Sequence, residues 1–172
     1  MSRVCNNKNN KGFSLIELIV AVAIIGVLAG IGTVMFLQEL PLYRLRDATR
    51  LLFSDIQSAR IYALRNGSPC ILEQFPANGN SYRIVQGGTV IKSVDLGGFT
   101  GVSFGSMDAA APAPDSGTFT GNQLVIQPSG IASTGSFYLK NNRNPADGRR
   151  IAVNASGRPI ISVWDSATNS YK

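Results

Sequence analysis

The stretch KGFSLIELIVAVAIIGVLAGIG (residues 11–32) decides how this sequence folds. It carries Glu17 near its start, and no charged residue follows from Leu18 through Gln38. A helix of that length and composition can span the apolar part of a bilayer. A carboxylate at the edge of such a segment is costly in apolar surroundings and usually has a partner. Glu17 is therefore the first candidate functional residue.

Positive charge is concentrated at the two ends of the chain. The formal net charge is +6, and the residues before Phe13 contribute three basic side chains and no acid. Residues 140–172 hold six basic and two acidic residues, which gives that region +4. The basic side chains of the C-terminal region favour either a solvated surface or an acidic partner.

The residue inventory argues against an enzyme. Histidine is absent, which removes the usual general base and the commonest metal ligand. The sequence has no serine nucleophile elbow, no glycine-rich phosphate loop and no metal-ligand spacing. We therefore expect no catalytic residues, no cofactor and no metal. Cys5 and Cys70 are the two cysteines, and removal of a leader would leave Cys70 without a disulfide partner.

A basic leader before an apolar run also suggests a secretory signal peptide. The apolar run is longer than the apolar region of a signal peptide, which has about 7–15 residues. No small-x-small cleavage site follows it. A plain signal anchor stays open at this point, but it does not explain Glu17.

The segment KGFSLIEL (residues 11–18) resembles the processing site of type IV pilins and type II secretion pseudopilins. The resemblance implies that a prepilin peptidase cuts between Gly12 and Phe13 and that the new amine of Phe13 is methylated. It also implies an assembly role for Glu17, as the fifth residue of the mature chain, opposite the Phe13 amine of a neighbouring subunit. Alternatively, Glu17 only stabilises the first turn of its helix, where negative charge is favoured.

The same resemblance implies where the protein acts. The chain would cross the bacterial inner membrane once, with its C-terminal head in the periplasm, and would later enter a pseudopilus or a surface pilus. Its partners would be the prepilin peptidase, other pilins or pseudopilins, and an inner-membrane assembly platform.

The helix is predicted to continue past the apolar run and to change character there. After the leader, residues 1–12, we expect a transmembrane or filament-core helix over residues 13–40 and an amphipathic helix over residues 41–67. Pro41 is expected to kink the helix or to end its membrane part. Steps of three and four residues define one apolar seam: Leu45, Ala48, Leu52, Ile56, Ala59 and Ala63. Charged residues are expected on other faces of the helix, where the arginines form a solvated surface: Arg44, Arg50, Asp55, Arg60 and Arg65.

The pattern changes to short strands after the helix ends at Asn66-Gly67. Strands are predicted within PCILEQF, SYRIVQ, TVIKSVDL, NQLVIQ, SFYLKN, RRIAVNA and RPIISVW. The sequence NASG (residues 154–157) predicts a hairpin turn. The composition of Asp108–Gly117 predicts an exposed loop. The predicted fold class is therefore α+β, with a long N-terminal helix packed on an antiparallel β-sheet head over residues 68–172.

Two further stretches resemble the GspH/FimT group of minor pilins and pseudopilins. They are residues 45–72, with the Ala59-Arg60 pair, and residues 148–163, with Gly157-Arg158. The resemblance implies a minor subunit that acts in filament assembly or initiation, in protein export or in pilus function. A major structural pilin is an alternative that counting copies per filament would distinguish.

A second alternative is a minor pilin that binds DNA during natural transformation. Some members of the group bind DNA through a Gly-Arg-x-Arg loop, and here the matching residues are Gly157-Arg158-Pro159-Ile160, without the second arginine. Four arginines remain as possible phosphate contacts: Arg143, Arg149, Arg150 and Arg158. We expect any such nucleic-acid binding to be weak.

Overall fold

The computed structural model describes residues 13–74, 79–108, 117–143 and 147–172, without the side chains of residues 32–35 and 38. The predicted leader, Gly12 and all but the ends of the predicted loop Asp108–Gly117 lie outside the described residues. The chain forms two compact units that divide between Gln38 and Glu39.

One helix, α1, covers Leu15–Asn66 and contains Pro41. It begins after Ser14, whose carbonyl oxygen accepts hydrogen bonds from the N–H groups of Glu17 and Leu18. It ends at the predicted Asn66-Gly67 boundary, where Gly67 adopts a φ of +63°. A residue in this left-handed conformation commonly stops a helix, so the predicted helix end is confirmed.

In the first unit, the apolar side chains of α1 that the structure places are exposed, from Leu15 to Ile31. Within the described ranges, no helix reaches the length and apolarity needed to cross a membrane.

The second half of α1 buries the predicted apolar seam. Its six residues, from Leu45 to Ala63, are fully buried against the sheets. The prediction for Asp55 was wrong: this residue is 4% exposed and is buried beside the seam instead of lying on another face of the helix. The steps from Leu52 to Asp55 and from Asp55 to Ala59 are three and four residues, which explains its inward position.

The described ranges contain nine strands, which form two antiparallel sheets. The first sheet has the order β3-β2-β1-β5, and the second has the order β4-β6-β7-β8-β9. The strands are β1 Cys70–Gln74, β2 Ser81–Gln86, β3 Thr89–Asp95, β4 Val102–Phe104, β5 Gln123–Ile126, β6 Gly135–Asn141, β7 Gly148–Val153, β8 Pro159–Asp165 and β9 Ser170–Tyr171. The α+β class and all seven predicted strands are confirmed, whereas β4 and β9 were not predicted.

The core lies between the second half of α1 and both sheets. Aromatic rings fill its centre, with Phe119 and Phe137 4.6 Å apart between ring centroids and Tyr82 edge-on to Phe104. Cys70 is buried in the same core as a free thiol. The predicted hairpin at residues 154–157 joins β7 to β8, and the Gly157 N–H donates to the Asn154 carbonyl at 2.8 Å.

Candidate functional site

The sequence-predicted assembly site lies at the start of α1. Phe13 is 76% exposed, and the side chain of Glu17 is exposed in the first helical turn. No salt bridge among residues 13–74, 79–108, 117–143 and 147–172 involves Glu17. The carboxylate is therefore accessible to a group from another molecule.

Glu17 also has a local electrostatic role. The unpaired N–H groups of a helix N-terminus carry partial positive charge, so an acidic side chain in the first turn stabilises the helix. The Glu17 N–H itself donates to the Ser14 carbonyl at 3.0 Å, which fixes the first turn. The local role and a pairing role with a neighbour use the same exposed carboxylate and are compatible.

The four candidate arginines do not share one surface. Arg149 and Arg150 are adjacent in β7, and successive side chains of a strand point to opposite faces of the sheet. The Arg150 Nε donates to the Ser136 hydroxyl at 2.9 Å, on the face away from α1. Arg143 is exposed, and its side chain runs past Gly101.

Arg149 instead joins two arginines of α1. Arg46, Arg50 and Arg149 line one depression of about 220 Å³, together with Ile161 of β8. Burial lowers the pKa of Arg149, and the positive charge of Arg46 lowers it further, while Asp147 acts in the opposite direction. This arrangement concentrates positive charge on the side of α1 that faces β8.

Arg158 directly precedes β8 and lies beside Arg60 of α1. Both line a depression of about 370 Å³ between α1 and the β7–β8 turn. Gly157 has a φ of +69°, and a Cβ there would lie 2.8 Å from the Gly130 carbonyl oxygen and 3.3 Å from the Arg60 Nε. The turn therefore requires glycine at this position, because it packs directly on the Arg60 side chain.

A buried polar network that the sequence analysis missed connects α1 to the first sheet. The Tyr82 hydroxyl and the Lys92 ammonium each donate to one oxygen of the Asp55 carboxylate, both at 2.6 Å. Burial and then Asp55 raise the pKa of Tyr82.

The part of the chain that the structure places contains no cluster of three potential metal ligands.

Two family models match the sequence. The prokaryotic N-terminal methylation motif matches residues 7–33, and the type II transport protein GspH model matches residues 48–157, more than half of the chain. No curated protein sequence matches.

Two solved structures are similar in fold. Both are crystal forms of the type IV minor pilin FimU of Pseudomonas aeruginosa strain PAO1. The first has a TM-score of 0.51 at 16% identity and covers 74% of this chain and 92% of that chain. The second has a TM-score of 0.49 at 14% identity and covers 74% and 96%. Together with the N-terminal motif, the match over residues 48–157 shows that the chain belongs to the GspH family of pilin-like and pseudopilin proteins.

Proposed function

We propose that this protein is a minor pilin or pseudopilin, a filament subunit of a type IV pilus or a type II secretion pseudopilus. The observation that supports the proposal best is the order of features along the chain. A methylation motif covers residues 7–33, an acidic residue lies in the first turn of α1, and a GspH match follows over residues 48–157. Pilins and pseudopilins are structural subunits, so the protein acts by self-association and recognition.

Maturation begins with cleavage between Gly12 and Phe13 by a prepilin peptidase, followed by methylation of the Phe13 amine. The uncharged run from Leu18 through Gln38 anchors the precursor in the inner membrane, with the head, residues 68–172, in the periplasm. The inner-membrane assembly platform then moves the subunit from the bilayer into the filament.

Glu17 acts during assembly. Methylation leaves the Phe13 amine positively charged, so the amine of one subunit can pair with the carboxylate of the next. In the apolar interior of a filament, an unpaired carboxylate is costly and pairing offsets much of that cost. The exposure of Glu17 on α1 is compatible with such a contact between subunits.

Intact mass spectrometry of the filament-associated protein tests the proposal. We expect a chain that begins at Phe13 and carries one added methyl group. The control is the same strain without its prepilin peptidase, where the precursor should keep residues 1–12. A chain that begins at Met1 or Ser2 in cells with an active peptidase would overturn the proposal.

The geometry gives less support to DNA uptake. The two arginines of β7 lie on opposite sheet faces. Arg158 lines a depression together with Arg60 of α1, and the loop that carries it has no second arginine. A flat surface that follows a phosphate backbone needs several cations on one face. Nucleic-acid binding therefore stays a secondary candidate, and a major structural role stays one that subunit counting would decide.

A further inference from the structure

The two basic depressions described above lie on the same side of the second unit. Their walls are α1 and one face of β8, because Pro159 and Ile161 are two residues apart and alternate residues of a strand share a face. Five arginines line them: Arg46, Arg50 and Arg149 in the first depression, and Arg60 and Arg158 in the second. The described residues of the two linings include no acid and no lysine, and we call the surface that they form the arginine face.

The first depression brings like charges together. Arg46 and Arg50 are one turn apart on α1, and Arg149 reaches them from β7. Like charges four residues apart destabilise a helix slightly. Burial lowers the pKa of Arg149 and Arg46 lowers it further, while Asp147 acts in the opposite direction. No salt bridge between described residues involves these three arginines, so an anion from another molecule would offset their repulsion.

The second depression contains a buried donor without an acceptor. The Arg60 Nε is buried, and it has no hydrogen-bond partner among the described residues. The side chain lies between two turns, since a Cβ on Gly157 would be 3.3 Å from Nε and a Cβ on Gly130 would be 3.6 Å from a terminal nitrogen. Buried donors are nearly always paired in folded proteins, so this one points to an acceptor that another molecule supplies. A carboxylate matches the guanidinium geometry best.

Aliphatic side chains are exposed on the same face. Ile61 and Leu64 of α1 lie in the second depression, and Ile161 of β8 lies in the first. A phosphate backbone would leave these side chains in water. The core of a protein interface, in contrast, combines apolar side chains with arginine and contains few lysines. The composition of the arginine face therefore favours a protein partner over a nucleic acid.

The extent of the arginine face also matches a protein contact. Between Arg46 and Leu64, α1 rises by about 27 Å at 1.5 Å per residue. A standard protein interface covers about 800 Å² on each partner, which is a patch about 28 Å across. One partner surface can therefore contact both depressions at once.

We propose that the arginine face binds an acidic patch on a neighbouring subunit of the same filament. The proposal rests on the proposed function, which supplies the neighbour. Carboxylates of the patch enter the two depressions, one beside Arg50 and one beside Arg60, and apolar side chains of the neighbour cover Leu64 and Ile161. Opposite charges steer the two surfaces together, and the guanidinium–carboxylate pairs fix their register.

Photocrosslinking in cells that assemble the filament tests the proposal. A benzophenone amino acid replaces Ile161 on the arginine face. The control position is Val90 of β3, an exposed aliphatic residue on the other sheet. We expect the probe at Ile161 to join the chain to another filament subunit, at a peptide that contains Asp or Glu. The probe at Val90 should not give this product.

Charge reversal separates the electrostatic contact from simple proximity. Arg50→Glu should lower the yield of the Ile161 product at least about tenfold, because repulsion replaces attraction. Arg50 is exposed, so the variant should still fold. Arg65→Glu makes the same change of charge on the last turn of α1, outside both linings, and should leave the yield unchanged. An arginine in place of the acidic residue of the crosslinked peptide should restore the product with Arg50→Glu.

Arg60→Met tests the second depression. The variant keeps most of the apolar stem of the side chain and removes its donors. Because the Arg60 Nε has no partner among the described residues, the thermal midpoint of the full-length chain in detergent should not fall. The yield of the Ile161 product should fall. A lower midpoint with an unchanged yield would mean that Arg60 supports only the fold.

Other outcomes would overturn the proposal as a whole. These are an Ile161 probe that gives no subunit product in assembled filaments, a crosslinked peptide without an acid, or equal effects of Arg50→Glu and Arg65→Glu. Duplex DNA that binds the full-length chain in micelles and is released by Arg50→Glu, without a subunit product at Ile161, would make the face a phosphate site. The proposal fails with a processed chain that is present in filaments, whereas the proposed function fails only if the wild-type chain is unprocessed and absent from them.

Discussion

Two carboxylates of α1, Asp55 and Glu17, differ in their burial and in their partners. Asp55 is buried and receives one hydrogen bond from Tyr82 and one from Lys92, so its charge is satisfied within the protein. Glu17 is exposed in the first turn, with no salt bridge to any described residue. A satisfied buried carboxylate stabilises one fold, whereas an exposed one at a helix start is available for a contact with another subunit.

Glu17→Ala should reduce incorporation into filaments while the precursor still enters the membrane fraction. The change makes the segment more apolar, so insertion should persist, but it removes the partner for the neighbour's Phe13 amine. Glu17→Gln is the matched control for shape, and it should show the same defect because it also lacks the charge. Fractionation and filament pull-down measure the two effects, and normal incorporation of both variants would leave Glu17 with a local helix role alone.

Tyr82→Phe should change how stability depends on pH. The pKa of Tyr82 is raised in the folded protein, mainly by burial and then by Asp55, so the folded state holds this proton more tightly than the unfolded state does. Its contribution is therefore fully present below the ordinary tyrosine pKa of about 10 and decreases as the pH rises above it.

The free energy of unfolding, measured with urea, checks this pH dependence. Tyr82→Phe should lower it by about 1–3 kcal/mol at neutral pH, the effect of losing a hydrogen bond to a charged group. The variant should also lose less stability than the wild type between about pH 10 and pH 11. Tyr62→Phe, on the exposed side of α1, should do neither. An unchanged decrease in Tyr82→Phe would contradict the assignment.

At the scale of helices and strands, regular patterns were predictable and long-range pairing was not. The apolar seam of α1 and the helix end at Asn66 follow from local spacing, and the structure confirms both. Strands β4 and β9 have three and two residues, too few to show an alternating pattern. The division into two sheets depends on pairing between distant strands, such as β1 with β5, which local sequence does not encode.

The β7–β8 turn provides a test at this scale. Gly157→Ala should destabilise the protein, because alanine disfavours a φ of +69° and its Cβ would meet the Gly130 carbonyl. Gly88 has a φ of +81° and open space around it. Gly88→Ala therefore measures only the cost of placing alanine at a positive φ, which is about 1 kcal/mol or more. Thermal unfolding should show a larger decrease for Gly157→Ala. Equal decreases would mean that the contact between the turn and α1 does not constrain the fold.

At the scale of the whole chain, the second compact unit contains the hydrophobic core that the structure describes. Among the residues whose side chains the structure places, every buried apolar one lies between Leu45 and Val153, within the unit that begins at Glu39. Among the cysteines that the structure places, Cys70 is a free thiol, so the core of this unit is held by packing and hydrogen bonds.

A fragment that covers residues 39–172 should therefore fold without the first unit and without a disulfide. Circular dichroism should show one cooperative thermal transition, because a single core spans the unit. The midpoint should be the same with and without reductant at equal protein concentration. A Cys70→Ser variant is the matched control, and a midpoint that falls on adding reductant in the wild-type fragment alone would contradict this view of the core.

The burial of Cys70 also means that labelling of its thiol would report transient opening of the core. Cleavage after Gly12 would remove Cys5, so a thiol reagent could modify one position only, and that position is fully covered in the folded state. Burial raises the pKa of the Cys70 thiol, which slows its reaction further. Modification would then occur only when the core opens, so the extent of labelling in intact filaments would report how tightly each subunit stays folded after assembly.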